Sequence, residues 1–239
     1  MPMEAHYQLA LDQAIQWIST NFKPAGIVVT GSIIRGNPHQ HSDLDIYVIH
    51  REPFRQRIQK QFNEVPCEFF INNFAHIHRY FEQEYRANRP IAAHMLGTGQ
   101  VMMGADDAEL IELLAAAKSY MNRSPGLTES HRTVQHYLIA SLFENASDLA
   151  ETDPLTGTYF LHKMVFDIID LAFLDIGIPH PRPKELLAQL ALNAPAVGRL
   201  IAMFYQARGF EAQYEIARQL LEAIGGQPAL FEWDSGPAT

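Results

Sequence analysis

The sequence predicts an α+β chain in two parts: an N-terminal domain on a mixed sheet, then an all-helical C-terminal domain. Three observations lead there. Short, β-branched apolar runs fall only in the first half, at GIVVTG, LDIYVIH, PCEFFIN and GQVMMG. The stretch NRSPGL, residues 122–127, groups Asn, Ser, Pro and Gly and reads as a loop between domains. Beyond it only helix-period patterns follow. The expected domains are 1–122 and 128–239.

The elements follow in order. Leu9, Leu11, Ile15, Trp17, Ile18 and Phe22 recur at near-helical spacing, and Pro24 and Gly26 stop that helix. GIVVTG and LDIYVIH read as buried strands. REPFRQRIQKQFNEV, with Pro53 near its start, reads as a short helix. PCEFFIN and GQVMMG are the third and fourth strands. Helical patterns cover 73–88 and 106–121, the second opened by Asp106 and Asp107. In the second half, residues 129–151 form a long helix after Thr128, a candidate N-cap. Residues 157–176 form another, broken by GIPHPRP. Three shorter helices are expected at 183–192, 195–207 and 210–224, with Gly225-Gly226 ending the last and SGPAT as a frayed tail. No repeat or low-complexity tract is visible.

Composition narrows the function classes. The 239 residues are 47% hydrophobic and 19% charged, which suits a folded chain with a sizeable core. Eighteen Lys+Arg against 27 Asp+Glu give a net charge of −9. A long nucleic acid needs a basic footprint, so none is expected as a partner. A small cationic substrate suits an acidic surface better. The single cysteine, Cys67, rules out an internal disulfide and a multi-cysteine zinc site. The opening MPMEAHYQLALDQ lacks a basic region followed by an apolar one, so no signal peptide is expected. No apolar run reaches the roughly 18 residues that span a bilayer. The expectation is a cytoplasmic protein with no membrane partner; a homodimer stays open.

One stretch carries the chemistry. In VVTGSIIRGNPHQHSDLDIYVI, residues 28–49, two apolar runs bracket a polar loop that starts Gly31-Ser32 and ends Ser42-Asp43-Leu44-Asp45. Side chains alternate along a strand, so Asp43 and Asp45 face the same way, about 7 Å apart. Two such carboxylates repel, and one pKa should rise. A divalent cation relieves the repulsion. Mg²⁺ takes hard oxygen ligands, one or two carboxylates and substrate phosphates among them. Gly31 allows a close backbone approach to a phosphate, and Ser32 donates from side chain and amide. If Ser32 opens a helix, its free N–H groups also face the anion.

Gly-Ser, ten residues, then Asp-Leu-Asp leading into a strand resembles the nucleotidyltransferase superfamily that includes DNA polymerase β. The fuller GSIIRGNPHQHSDLDIYV resembles its bacterial branch of minimal, aminoglycoside and lincosamide nucleotidyltransferases. The resemblance spans about 45 residues. It implies that Gly31 and Ser32 hold nucleotide phosphates. It also implies that Asp43, Asp45 and a third acid on a later strand bind two Mg²⁺ ions. Glu68 in PCEFFIN is the acid inside a downstream strand-like run; Glu64, before Pro66, is the weaker alternative. The implied reaction moves a nucleoside monophosphate, AMP from ATP in the first instance or another NTP, to a hydroxyl acceptor, with pyrophosphate leaving. Glu68 would also accept the hydroxyl proton. A helical domain after the motif resembles the antibiotic-modifying members in architecture, which suggests an aminoglycoside-like acceptor between the domains.

Each residue has a plainer reading. SDLD alone is a capped turn, and Glu68 alone is an edge-strand charge that discourages aggregation. Arg35 either touches the triphosphate or is a solvated loop residue. His39 and His41 read as loop polar residues, since histidine suits Mg²⁺ poorly; His76 and His78 read as structural. Glu144 and Asp148, i and i+4 on the helix that also carries His136, form a solvated face or meet the acceptor. Lys163 either snorkels or reaches the nucleotide phosphates. Lys184 has the same two choices. Two other classes stay open: an antitoxin-like enzyme that modifies a protein hydroxyl (AMPylation), and a non-catalytic nucleotide-binding regulator of the same fold.

Overall fold

A computed structural model describes residues 3–39, 42–227 and 231–234. The tail SGPAT and the loop residue His41 lie outside them. The chain divides into two compact units, Met1–Arg123 and Ser124–Thr239.

The first unit runs α1 (Ala5–Asn21), β1 (Gly26–Thr30), β2 (Leu44–His50), β3 (Gln56–Phe62), β4 (Val65–Asn73), α2 (Phe74–Arg86), α3 (Ile91–Thr98), β5 (Gln100–Met103) and α4 (Ala108–Tyr120). The sheet order is β3-β4-β2-β1-β5. Only the β2–β4 pair is parallel; the other three pairs are antiparallel, so the sheet is mixed. Caps set the helix starts. The Asn73 side chain accepts from the His76 amide at 2.8 Å, and Asp107 accepts from the Leu110 amide at 3.0 Å.

Two elements differ from the sequence expectation. Residues 56–62 form a strand and not a helix. Asn63 and Glu64 both hold positive φ, +46° and +64°, in a two-residue hairpin that turns the chain straight into β4. The alternation is real but polar. Ile58 and Phe62 pack toward α1, while Arg57 and Gln59 point to the other face. α3 is the other difference. Its N-cap is Pro90, which offers no side-chain acceptor, so the usual start signal is missing.

Strand alternation sorts the core into two layers. Ile27, Val29, Ile46, Val48, Phe69 and Ile71 bury one sheet face with Leu11 and Ile18 of α1. Val28, Tyr47 and Ile49 bury the opposite face under Phe74, Phe81, Leu96 and Leu113 of α2, α3 and α4. Full burial of one such side chain is worth roughly 1.5–3 kcal/mol, so this helical cover fixes which face each strand residue takes. The same parity puts Asp45 and Glu68 on the α2–α4 face, at the end of the sheet beyond that cover.

The second unit is helical: α5 (Glu129–Asp148), α6 (Pro154–Asp175), a 3₁₀ turn (Pro183–Glu185), α7 (Leu186–Asn193), α8 (Pro195–Gln206) and α9 (Phe210–Ala223). Thr128 caps α5, accepting from the His131 amide at 3.2 Å. α6 begins three residues earlier than the apolar pattern suggests, because Asp153 caps it and Pro154 fills its first turn. Its apolar face, including Leu161, Val165, Ile168 and Phe173, is buried with Phe143 of α5, Phe204 of α8 and Leu220 of α9. No described helix of the chain is long and apolar enough to cross a membrane.

Candidate active site

The sheet register assembles the site. Thr30 pairs with Asp45, Asp45 with Glu68, and Glu68 with Gln59, which makes one row across β1, β2, β4 and β3. Asp43 precedes β2 and turns toward the same end. Carboxylate oxygens of Asp43, Asp45 and Glu68 lie within 4.8 Å of one another, the only such group of three among the described residues. Glu68, not Glu64, completes the cluster; Glu64 stands in the hairpin turn.

The electrostatics follow from this crowding. Asp45 is pushed up to about 6, first by burial, then by the neighbouring charges of Asp43 and Glu68, with Arg35 and Arg57 opposing. Glu68 is held below the usual carboxylate range, first by its hydrogen bond from Arg57. Arg57 Nε donates to Glu68 Oε1 at 2.5 Å, and Gln59 Nε2 donates to the same oxygen at 3.1 Å. One acid of the cluster thus has a cationic partner, while Asp45 sits where ionisation is costly. Three hard oxygen donors at this spacing, one of them raised by burial and by its like-charged neighbours, form a set that fits Mg²⁺.

The loop before β2 closes on the acids. Gly31 has φ +102°, and a Cβ there would stand 3.0 Å from Asp45 Oδ2 and 3.4 Å from the Asp43 carbonyl. Only glycine lets the backbone pass so close. Residues 32–36 form a run of turns and not a regular helix; the Arg35 amide donates to the Gly31 carbonyl at 3.2 Å and the Asn37 amide to the Ser32 carbonyl at 3.0 Å. Ser32 Oγ is 2.6 Å from Ser42 Oγ, and Ser42 Oγ also accepts from the His39 amide at 2.7 Å. These bonds tie the two ends of the loop together beside the carboxylates.

Gly31, Ser32, Asp43, Asp45 and Glu68 are therefore brought together in the first unit. Arg35 is exposed, yet its charge acts on Asp45. Lys163 belongs to the second unit, on α6, where its ammonium is 3.4 Å from Asp167 one turn on. Glu144 and Asp148 lie on α5, and the exposed Lys184 in the 3₁₀ turn. Arg57, Gln59 and Ser42 are site residues that the sequence reading did not single out. The polar alternation of residues 57–61 was the available signal for the first two. Cys67 is buried and its thiol is pushed up to about 12, mainly by burial, so it stays protonated and is no nucleophile.

Residues 11–91, which run from α1 to the start of α3 and contain the Gly-Ser loop and all three acids, match the nucleotidyltransferase domain family. No curated protein matches the chain. A crystal structure of a nucleotidyltransferase-like protein from Exiguobacterium sibiricum 255-15 aligns over 91% of this chain and 74% of its own, with TM-score 0.53 and 18% identity. At that identity the likeness is one of fold. The matched family and the acids that its segment positions identify residues 11–91 as a nucleotidyltransferase domain.

Proposed function

We propose that the enzyme transfers a nucleoside monophosphate, AMP from ATP in the first instance, to a hydroxyl of a small molecule, with Asp43, Asp45 and Glu68 as its catalytic acids. The observation that carries this reading is the three-carboxylate cluster standing against the Gly31-Ser32 loop within the family segment. Asp43, Asp45 and Glu68 would hold Mg²⁺, two ions on the superfamily pattern. Bound Mg²⁺ supplies charge neutralisation at the transferring phosphoryl group and the departing pyrophosphate. Gly31 and Ser32 bind phosphate oxygens, and Arg35 adds positive charge there. The acceptor oxygen bonds to the α-phosphorus as the bond to pyrophosphate breaks. Glu68, kept ionised by Arg57, takes the hydroxyl proton. Most of the rate comes from positioning and charge. ATP and Mg²⁺ are both available in the cytoplasm, the setting this reading assumes.

Two acceptor classes come with the family, an aminoglycoside-like antibiotic and a protein hydroxyl, and both go into the test. The wild type and Asp45→Asn are incubated with each α-labelled NTP, Mg²⁺, and panels of small hydroxyl compounds, antibiotics and purified proteins. Label should move to a small molecule with equimolar pyrophosphate, and only with the wild type. Label on protein alone would favour the protein-modifying reading. No transfer from any NTP would leave a nucleotide-binding regulator.

A further inference from the structure

One pleat along the sheet from the acid row lies a groove of about 450 Å³ that the proposed chemistry has not used. Its floor is the next row on the same face: Tyr47 is two residues on from Asp45, Phe70 two on from Glu68, and Arg57 pairs with Phe70 in register. The Tyr47 and Phe70 rings stack at 5.7 Å with planes 13° apart. The Arg57 guanidinium lies 4.7 Å above the Phe70 ring while its Nε holds Glu68. A second guanidinium stands on the rim. Arg55 Nη1 donates to Tyr80 Oη at 2.9 Å, and Tyr80 Oη donates to Asn72 Oδ1 at 3.3 Å, which fixes both groups to the β4 wall.

We infer that this groove binds the acceptor, and that the acceptor is a small hydroxyl compound carrying a carboxylate or a phosphate. The inference rests on the nucleotidyl-transfer reading and narrows its acceptor class. Its size falls in the ~300–1,000 Å³ range of small-ligand sites. A stacked aromatic floor suits a flat or apolar body. Each guanidinium carries five N–H donors, and Glu68 engages one on Arg57 and Tyr80 one on Arg55, which leaves donors on both for an oxyanion. The one lining carboxylate, Glu84, accepts from the Ala92 amide at 3.0 and 2.8 Å at the start of α3, so it is directed at that helix terminus. The groove is thus locally cationic in a chain of net charge −9. A polyammonium acceptor would meet the two arginines unfavourably. Adjacent rows are about 7 Å apart, so an oxyanion at Arg55 and Arg57 leaves a hydroxyl on the same molecule within reach of Glu68.

Binding is read by ligand-observed NMR, without nucleotide or metal, using 4-hydroxyphenylacetate, glycerol 3-phosphate and kanamycin as probes. The wild type should bind at least one of the two anions and not kanamycin; which anion wins tells carboxylate from phosphate. Arg55→Gln, an exposed surface change that should fold, should weaken that anion about tenfold, the scale of one lost charge-assisted hydrogen bond. Tyr80→Phe should weaken it less, because it only loosens Arg55. Absence of both anions from the wild type, equal binding by Arg55→Gln, or preference for kanamycin would each overturn the assignment. Label transfer from α-labelled ATP to the bound anion is measured separately. Binding that needs Arg55 but gives no transfer would keep the groove and count against the reaction.

Discussion

Two carboxylates on this chain titrate in opposite directions, one in each unit. Asp45, in the first unit, is pushed up to about 6 by burial and by two neighbouring acids. Glu215, on α9 in the second, is pulled down to about 2 by hydrogen bonds from Arg218 and Gln219. The second unit pairs many of its acids on helix surfaces: Lys163 with Asp167, Arg132 with Asp175, Arg182 with Glu185, and Arg218 with Glu215 and Glu222. Exposed pairs of this kind contribute little to stability. The first unit also pairs Arg51 with Asp107 and Glu109, but it gathers three further acids at one sheet end, where Arg57 is hydrogen-bonded to Glu68. A fold does not gain from such crowding, and that makes this end the candidate place for a ligand's charge.

The largest effects should come from breaking the crowded end. Asp43→Asn and Asp45→Asn should each cut nucleotidyl transfer by at least about a hundredfold, since even groups that only support a metal ligand cost 10–100-fold when lost. Neither should lower the melting temperature of the metal-free protein, and Asp45→Asn should raise it at pH 8. Wild-type turnover in either variant would falsify the site. Glu68→Gln should keep nucleotide affinity and lose transfer, because Glu68 serves the acceptor side; a parallel loss of affinity would mean it has been given the wrong role.

The contrast sharpens with pH. Between about pH 4 and 6 the folded chain holds a proton on Asp45 that the unfolded chain has released. The slope of stability against pH is therefore negative there. Asp45 should make the metal-free protein less stable as pH rises through 6, by on the order of 2 kcal/mol once solvent screening is allowed for. Urea melts at pH 4 and pH 7.5, wild type against Asp45→Asn, isolate that contribution; no difference between the two slopes would contradict the raised pKa.

A smaller effect is expected at the loop. Gly31→Ala forces a side chain into a positive-φ position beside Asp45 Oδ2. It should cost about 1–2 kcal/mol in a urea melt and weaken nucleotide binding as well. Smallest are the changes in the helical unit. Lys163→Ala, which removes the exposed pair with Asp167, should cost less than about 1 kcal/mol in a urea melt. Glu215→Gln should leave transfer and melting unchanged despite its large pKa displacement.

What could be read from sequence differs between these regions for a physical reason. The Gly-Ser loop, the two aspartates and Glu68 are close in sequence or sit in strongly apolar strands, where period and parity fix their direction. The second unit was legible because long apolar helices with Thr and Asp caps announce themselves. The polar edge strand β3 was not. Its residues QRIQKQF cover one edge and bury only Ile58 and Phe62 in part, so hydrophobic periodicity is faint. Read as a helix, that segment cannot place Arg57 and Gln59 beside Glu68. The cationic row and its groove vanish from view with it. Pro90, in place of a capping side chain, hid α3 in the same way.

The central claim, that Asp43, Asp45 and Glu68 form a divalent-metal and nucleotide site, needs no knowledge of the acceptor to be tested. Mg²⁺ is titrated by calorimetry at pH 6 with a non-hydrolysable ATP analogue present, in two buffers of different ionisation enthalpy, for the wild type and Asp45→Asn. The account predicts saturable Mg²⁺ binding by the wild type with release of a fraction of a proton, because the metal displaces the proton that Asp45 retains near its pKa of about 6. In Asp45→Asn both the proton release and the binding should be lost. Equal Mg²⁺ affinity in the two proteins, or wild-type binding with no proton released, would contradict it.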